Sequence, residues 1–533
     1  MGLRALGDSA WLFEAAGGNA RAKLGLVLRV LGILKRERIP EARDIVSSFD
    51  SVAVHFDPLD GERVLEWLTA LPAPEGGEEE WLEPRTIEVP VVYGEGLEEI
   101  AERLGRTSDE IVALHSGADY TVAAVGFAPG FPYLLGLPEE LRVPRLSTPR
   151  PVEAGSVAIA GDQAGIYPFA SMGGWSVLGR TGLRLFDPER GEPSWFRPGD
   201  KVRFKSVRKL AFHEPKKPKV RLPAGGIEVL EPGAFTTVQD LGRHGFQHLG
   251  VSPGGAADPV AARVANRLLG NPDEAAVFEC CMSGPILRFR EDTRVAFTGW
   301  ADPRAGRPLE MPKGSVLDLS KRMPSVRGYL AVAGGIETPL VMGSRSTDVR
   351  AGFGGWLGRK LQVGDRLPIG PLVQGPMPGA WSVGWPQAET PGKMIELRYI
   401  AGMQASWFSE ETREKFRKSI YQISPVSDRM GARLDGPMLG LKEPREMVSQ
   451  PVVSGSIQVP PDGKPIVLLA ERQTIGGYPQ IGHVISADVP KLARAWPGTR
   501  IRFREVTLEE AREVWADQEG DFGFLQAGLE LLR

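Results

Sequence analysis

Residues 151–157 read PVEAGSV and residues 451–457 read PVVSGSI, with proline, glycine and serine in the same order at an offset of 300. Further along, 198–204 (PGDKVRF) is answered by 497–503 (PGTRIRF), with a shortened copy, VGDRL, at 363–367. Between them, Gln163 with Tyr167-Pro168 is matched by Gln473 with Tyr478-Pro479, at offsets of 310 and 311. Turn glycines sit where φ must be positive or where backbones approach closely, so equal order and near-equal spacing indicate duplicated β modules. Closing each module into a barrel removes its exposed sheet edges. The expected fold is mainly β, with two or three related β-barrel units.

The flanking sequence adds a small N-terminal α/β unit. Leu24, Val27, Leu28, Leu31 and Leu34 recur at helical spacing, and Lys35-Arg36 follow where a helix C-terminus favours positive charge. SVAVHF at 51–56 alternates as a strand, Val64, Leu65, Leu68 and Leu71 resume the helical period, and TIEVPVVY at 86–93 reads as a strand. An acidic joint, PAPEGGEEE, separates these. Thr107 and Glu110 form a capping box for a short helix ending near His115, after which 119–127 is β-like. The basic, proline-containing stretch 206–224 has little periodicity and reads as an extended linker. The predicted organisation is therefore 1–84 (α/β), 85–205 (barrel), 206–224 (linker), 225–385 (barrel lobe) and 386–533 (second barrel lobe with a helical tail).

Composition narrows the function classes. The 533 residues allow three or four domains at about 150 residues each. Lys plus Arg number 64 against 67 Asp plus Glu, a net charge of -3, which lacks the basic excess that nucleic-acid binding needs. Cys280 and Cys281 are adjacent and form neither a disulfide framework nor a zinc-ligand spacing, which fits a reducing cytoplasm. The apolar stretch 24–34 is too short to span a membrane and is interrupted by Arg29. No metal-ligand set, Walker A loop or GxGxxG fingerprint is present.

The most distinctive segment is GFAPGFPYL at 126–134, a rigid aromatic loop that either shapes a pocket or plugs a barrel end. Double glycines at 173–174, 254–255, 334–335, 354–355 and 476–477 either direct N–H groups at an anion or make ordinary turns. Asp240/Arg243, Asp258, Arg345/Asp348 and Asp428/Arg429 each place a carboxylate near glycine, a hydroxyl or arginine, a pattern shared by anion clamps and by turn-stabilising ion pairs. His115 is a general acid-base candidate because its ordinary pKa lies near neutrality; as a helix-end residue it equally suits the dipole.

These motifs resemble a known pair of families. HSGADYTVAAVGFAPGFPYL (115–134), GSVAIAG, QAGIYP and GGW are similar to the B subunit of 5-oxoprolinase, also known as allophanate hydrolase subunit 1 or sporulation-kinase inhibitor. TTVQDLGRHGFQHLGVSPGGAADP, ANRLLGNP, VMGSRSTD, SDRMGARLDG and RQTIGGYPQIG are similar to the C subunit of the same enzyme, the allophanate hydrolase subunit 2 or inhibitor-antagonist family. Both halves also resemble the carboxyltransferase part of urea carboxylase. The resemblance implies duplicated cyclophilin-like barrels in a fused B–C protein, cytoplasmic, that works with a separate partner resembling the A subunit of 5-oxoprolinase in ATP-driven opening of 5-oxoproline to glutamate. ATP with Mg is implied, at this chain or with the partner. The absence of an AMKM segment argues against covalently attached biotin. The implied partners are that A subunit-like protein and a small amide, with homo-oligomerisation left open. Residue chemistry within the motifs then gives Arg243, Arg345 and Arg429 as anion clamps and His115 and Asp258 as proton-transfer groups, with Arg429 and these two forming the catalytic set. Gln473 and Tyr478 would orient substrate, and Phe127, Gly130 and Phe131 would form the cleft wall. Ala257 and Met172 stand where the families usually have Met and Pro, which leaves a different small amide open. The competing expectations are an allophanate- or urea-type hydrolase or carboxyltransferase component, and a regulatory protein binding a histidine kinase.

Overall fold

The computed structural model describes residues 2–72, 84–146, 148–211, 223–372, 381–384, 394–445 and 447–532. Most of the acidic joint and of the predicted linker, 73–83 and 212–222, lies outside the described residues. At the N-terminus an antiparallel sheet runs in the spatial order Leu3–Ala5, Ala10–Glu14, Ser51–His55, Asp44–Ser47. Helix Ala20–Arg36 covers it, capped by the Asn19 side chain. Its Val27, Val30, Leu31 and Leu34 bury against Trp11, Phe13, Val52 and Val54. That is the apolar stripe visible in the sequence, extended by one further position.

Two closed seven-stranded barrels follow, and they share one strand order. The first runs Ser156–Ala160, Gln163–Ile166, Pro132–Leu135, Tyr120–Val125, Lys201–Ser206, Thr86–Tyr93, Ser176–Arg180. The second runs Ser456–Gln458, Ile466–Leu468, Gly431–Asp435, Tyr421–Ile423, Arg500–Glu505, Ile395–Ala401, Gln480–Val484. In each, the first and last strands in sequence pair in parallel, with Ile87 opposite Val202 and Ile395 opposite Ile501. The PGDKVRF and PGTRIRF repeats are therefore the turn and strand that close each barrel.

Each barrel also carries a two-stranded flap, Arg150–Val152 with Ser171–Gly173 and Gln450–Pro451 with Ile475–Gly476. Met172 faces Pro151 and Ile475 faces Pro451, so the first flap strands correspond at an offset of 300 and the second at 303. This corrects the matching of Tyr167-Pro168 to Tyr478-Pro479. Trp175 answers Tyr478. On the fifth strand Ile166 faces Val157 and Val467 faces Ile457, an offset of 301, so Tyr167 answers Leu468 and the second barrel carries two further residues before its flap strand.

The barrel expected over 225–385 is instead a pair of open sheets. One has the order Val316–Asp318, Ile286–Phe289, Ile227–Glu231, Arg366–Leu367, and the other Phe235–Gln239, Val277–Ser283, Arg322–Val332, Thr293–Thr298, Leu309–Met311. Their inner faces share a core that includes Ile227, Leu287, Phe289, Phe278, Phe297 and Leu330. The VGDRL echo ends in a two-residue edge strand, Arg366–Leu367, too short to bridge the sheets as the six-residue strands Lys201–Ser206 and Arg500–Glu505 do in the barrels. Cys280, buried, and Cys281 lie on one of these strands.

A 23-residue helix, Leu508–Glu530, closes the chain. Trp515 donates to Asp57 at 3.0 Å, Glu519 pairs with Arg263 at 2.6 Å, and the Arg263 guanidinium lies 3.8 Å from the Phe522 ring centroid. The tail thus ties the second barrel to both the N-terminal unit and the middle sheets. Among the described residues no helix is long and apolar enough to cross a membrane.

Candidate active site

The three large units meet at the 126–131 loop. Gly130 donates its N–H to Leu249 at 2.8 Å, across the boundary between the first barrel and the middle unit. At Gly250, with φ +78°, a Cβ would stand 2.3 Å from the Ala128 carbonyl oxygen, and at Gly126 a Cβ would stand 2.4 Å from Ile475 Cδ1 of the second barrel. Only glycine permits these approaches. Phe127 between them holds φ +65°, a left-handed conformation that costs a non-glycine residue roughly 1–3 kcal/mol and is sustained by its surroundings.

An open cleft lies at this junction. Phe127, Ala128, Pro129, Tyr167, Pro168 and Phe169 form the first barrel's wall, Ser252, Asp348 and Arg350 come from the middle unit, and Glu471 and Arg472 come from the second barrel. The two walls belong to corresponding connections, each leading from a barrel's fifth strand to its flap: 167–170 in the first barrel and the longer 469–474 in the second. One copy presents aromatic surface and the other presents charge.

The charged side rests on a buried network. Arg429 Nε donates to Glu471 Oε1 at 2.6 Å, its Nη1 pairs with Glu279, and its Nη2 reaches the Gly255 carbonyl at 2.6 Å. Glu279 also accepts from the Tyr329 hydroxyl at 2.9 Å and the Ala257 N–H at 2.8 Å. Burial works against the Glu279 charge, but Arg429 and Arg327 hold its carboxyl below the usual range. Glu471 goes the other way: burial pushes its pKa up and the charge of Asp348 adds to this, while Arg429 opposes without prevailing. A carboxyl of raised pKa near a second carboxylate is an arrangement suited to general acid-base work.

Two arginines line the cleft. The Arg350 guanidinium lies 5.5 Å from the Phe127 ring centroid, and Arg350 has no carboxylate within ion-pair distance among the described residues. Arg472, 4% exposed, donates to Gln247 Oε1 at 2.8 Å and to its neighbour's carbonyl at 3.2 Å, and likewise meets no carboxylate there.

Phe127 lines this cleft, while Phe131 lies behind it, packed on Tyr133, Tyr167 and Trp175. Gly130 shapes the loop. The three arginines expected to clamp anions are committed elsewhere. Arg243 is buried against the carbonyls of Ser346 and Val341, Arg345 pairs with Glu337, and Arg429 spends its guanidinium on Glu471, Glu279 and Gly255. Asp258, fully buried, caps helix Pro259–Arg267 through Ala261 N–H and sits 3.3 Å from Arg494; it reaches the cleft only through Tyr329, Glu279 and Arg429. Gln473 bonds Gln458 at 3.2 Å and Tyr478 is exposed, and neither lines the cleft. His115 is sealed inside the first barrel among Tyr93, Tyr120 and Phe204, with Nδ1 2.7 Å from the Tyr93 hydroxyl and its pKa lowered by burial to about 3. It is a core histidine rather than a cleft residue.

Glu471, Arg472 and Arg350 were not singled out in the sequence. The signal in the sequence for Glu471 and Arg472 was the repeat: 167–170 connects the fifth strand to the flap in the first barrel, and 469–474 is the corresponding, longer connection in the second.

The carboxyltransferase domain, subdomain C and D, matches residues 1–196, and the carboxyltransferase domain, subdomain A and B, matches residues 249–505. The chain is 39% identical over 306 residues to the C subunit of 5-oxoprolinase from Escherichia coli (strain K12), covering 56% of this chain and 96% of that protein. The chain belongs to the carboxyltransferase-domain family. Its C/D half is 32% identical over 224 residues to the B subunit of 5-oxoprolinase from Bacillus subtilis (strain 168), covering 39% of this chain and 93% of that one. The crystal structure of TTHA0988 has both halves in one chain, at 35% identity and TM-score 0.80, covering 93% of this chain and 99% of that one. In this carboxyltransferase-domain protein the cleft lies where the C/D half meets the A/B half.

Proposed function

We propose that this chain is the fused B/C component of an ATP-dependent 5-oxoprolinase, opening a small cyclic amide to the amino acid together with a separate protein like the A subunit of that enzyme, and inactive or weak without it. The observation that carries the reading is a carboxyl of raised pKa, Glu471, held by Arg429 in a cleft that also presents Asp348 and two arginines with no carboxylate partner among the described residues. Likeness to the B and C subunits of 5-oxoprolinase over nearly all of both relatives supports it.

A lactam carbonyl is a poor electrophile, and ATP supplies the activation of its oxygen. Within this proposal Mg–ATP and that activation step are assigned to the partner. The chain's own contribution is the hydrolytic part. Asp348 takes a proton from the water that attacks the O-phosphorylated carbon, Glu471 gives one to the ring nitrogen as the C–N bond breaks, a second water hydrolyses the acyl phosphate so formed to the carboxylate and inorganic phosphate, and the Phe127 wall excludes bulk water from one face.

The test combines the purified chain with a candidate A-type partner protein and measures ATP hydrolysis with 5-oxoproline, urea, allophanate or no substrate. Stimulation by 5-oxoproline alone supports the proposal. Stimulation by urea or allophanate instead assigns the cleft to that chemistry, and copurification with a histidine kinase without amide-dependent ATPase replaces it with a regulatory role.

A further inference from the structure

Arg472 is an unusual arginine. It is almost wholly buried, yet its charge meets no carboxylate within 4.0 Å among the described residues. Two of its five N–H donors have protein acceptors, Gln247 Oε1 and the Gln473 carbonyl, and the side chain lines the cleft. A buried cation left this way is costly unless a ligand completes it.

The nearest fixed negative charge is one residue removed. Asp44, on strand Asp44–Ser47 of the N-terminal sheet, is itself buried and accepts three hydrogen bonds: from Gly245 N–H at 2.7 Å, Gln247 N–H at 3.0 Å and Gln247 Nε2 at 3.1 Å. The last of these fixes the Gln247 amide. With its donor end on Asp44, its acceptor end has to face Arg472 Nη2, 2.8 Å away. Without Asp44 the amide is free to turn its NH₂ toward the guanidinium, where two donors would oppose each other. The N-terminal unit, which contributes no residue to the cleft lining, therefore orients one that does.

We infer that Arg472 recognises a carboxylate on the substrate, so that the cleft selects anionic small amides, and that Asp44, acting through Gln247, is its positioning residue. This rests on the reading of the cleft as the amide site and adds to it the part of the substrate that the chain reads. Neutral urea offers Arg472 a carbonyl acceptor but no charge, whereas 5-oxoproline carries a carboxylate next to its lactam. The aromatic wall opposite, Phe127 with Tyr167, suits the ring's faces.

The experiment measures binding of 5-oxoproline, its neutral carboxamide, urea and inorganic phosphate to the full chain by calorimetry, with melting temperatures and partner-coupled turnover recorded alongside. The wild-type chain should bind 5-oxoproline about 10- to 100-fold more tightly than the carboxamide, the scale of a lost charge-assisted hydrogen bond. R472Q should bring the two ligands to parity, R472K should restore only part of the preference because ammonium lacks the fork, and D44N and Q247M should each cut the preference to within about threefold. In all four variants carboxamide binding should fall much less than 5-oxoproline binding, a selectivity that a merely structural role would not produce. Equal wild-type affinities, no 5-oxoproline binding, or a preference that survives R472Q overturns the inference. So does phosphate that displaces 5-oxoproline and depends on Arg472, which would make this a phosphoryl subsite. Turnover of 5-oxoproline without carboxylate preference removes this inference and leaves the proposed function; carboxylate preference without turnover does the reverse.

Discussion

Arg429 and Glu471 are joined twice: the guanidinium Nε donates to the carboxylate at 2.6 Å, and Glu471 N–H donates to the Arg429 carbonyl at 2.9 Å. The same guanidinium crosses from the second barrel to Glu279 in the middle sheets. One side chain thus fixes a cleft carboxyl and anchors the surface behind it, so effects on chemistry and on unit packing have to be separated.

Removing Glu279 separates them in one direction. Glu279→Ala leaves Arg429 and Arg327 without their shared buried counter-charge and should destabilise the protein by about 3–5 kcal/mol, read by denaturant unfolding.

Stability should also record the raised Glu471 pKa. A carboxyl whose folded pKa lies above its ordinary 4.5 binds its proton more tightly folded than unfolded. Its contribution is fully present below pH 4.5 and is lost as pH rises through the folded value. Glu471→Gln, which cannot ionise, should flatten that fall, so the variant gains melting temperature relative to wild type toward neutral pH and none at pH 4. A parallel pH dependence in the two proteins would show that Glu471 is not raised.

Close backbone contact at the junction predicts a contrast between two glycines of similar φ. Gly17→Ala (φ +71°, nothing within 4 Å of the added Cβ) should cost only the left-handed strain of about 1–2 kcal/mol. Gly250→Ala adds a clash with the Ala128 carbonyl at 2.3 Å, so it should cost more and lower turnover by moving the Phe127 loop. Melting temperature and kcat for both variants check this.

His115 supplies a negative control for the chemistry. His115→Gln should lower stability by about 1–3 kcal/mol by disturbing the bond to Tyr93, while kcat stays within twofold of wild type. A large loss of kcat in a well-folded variant would return His115 to the chemistry.

The duplicated barrels were legible in the sequence because the features that mark them are local: turn glycines and the Pro-Gly entries to the closing strands. The flap register was misread because Tyr-Pro recurs at 167–168 and 478–479 for different reasons, and only strand pairing distinguishes them. The middle unit was read as a barrel because its VGDRL echo resembles the closing strand, although two residues cannot close a sheet. The site was less legible. An Asp before Pro and an apolar run signals a helix cap as readily as a catalytic carboxylate, and Asp258 is that cap. The residues flanking an arginine do not reveal whether its donors are already used, as those of Arg243 are, or left over, as those of Arg472 are. That distinction depends on partners more than a hundred residues away, which one sequence does not display.

The central claim is that chemistry occurs where the aromatic wall of one barrel faces the charged wall of the other, with Glu471 as the acid. The most direct measurement is 5-oxoproline-dependent ATP hydrolysis and glutamate release by Glu471→Gln with its partner protein, beside its melting temperature. The account predicts a loss of glutamate release of at least about 100-fold in a protein that melts no lower than wild type; release at the wild-type rate would contradict it.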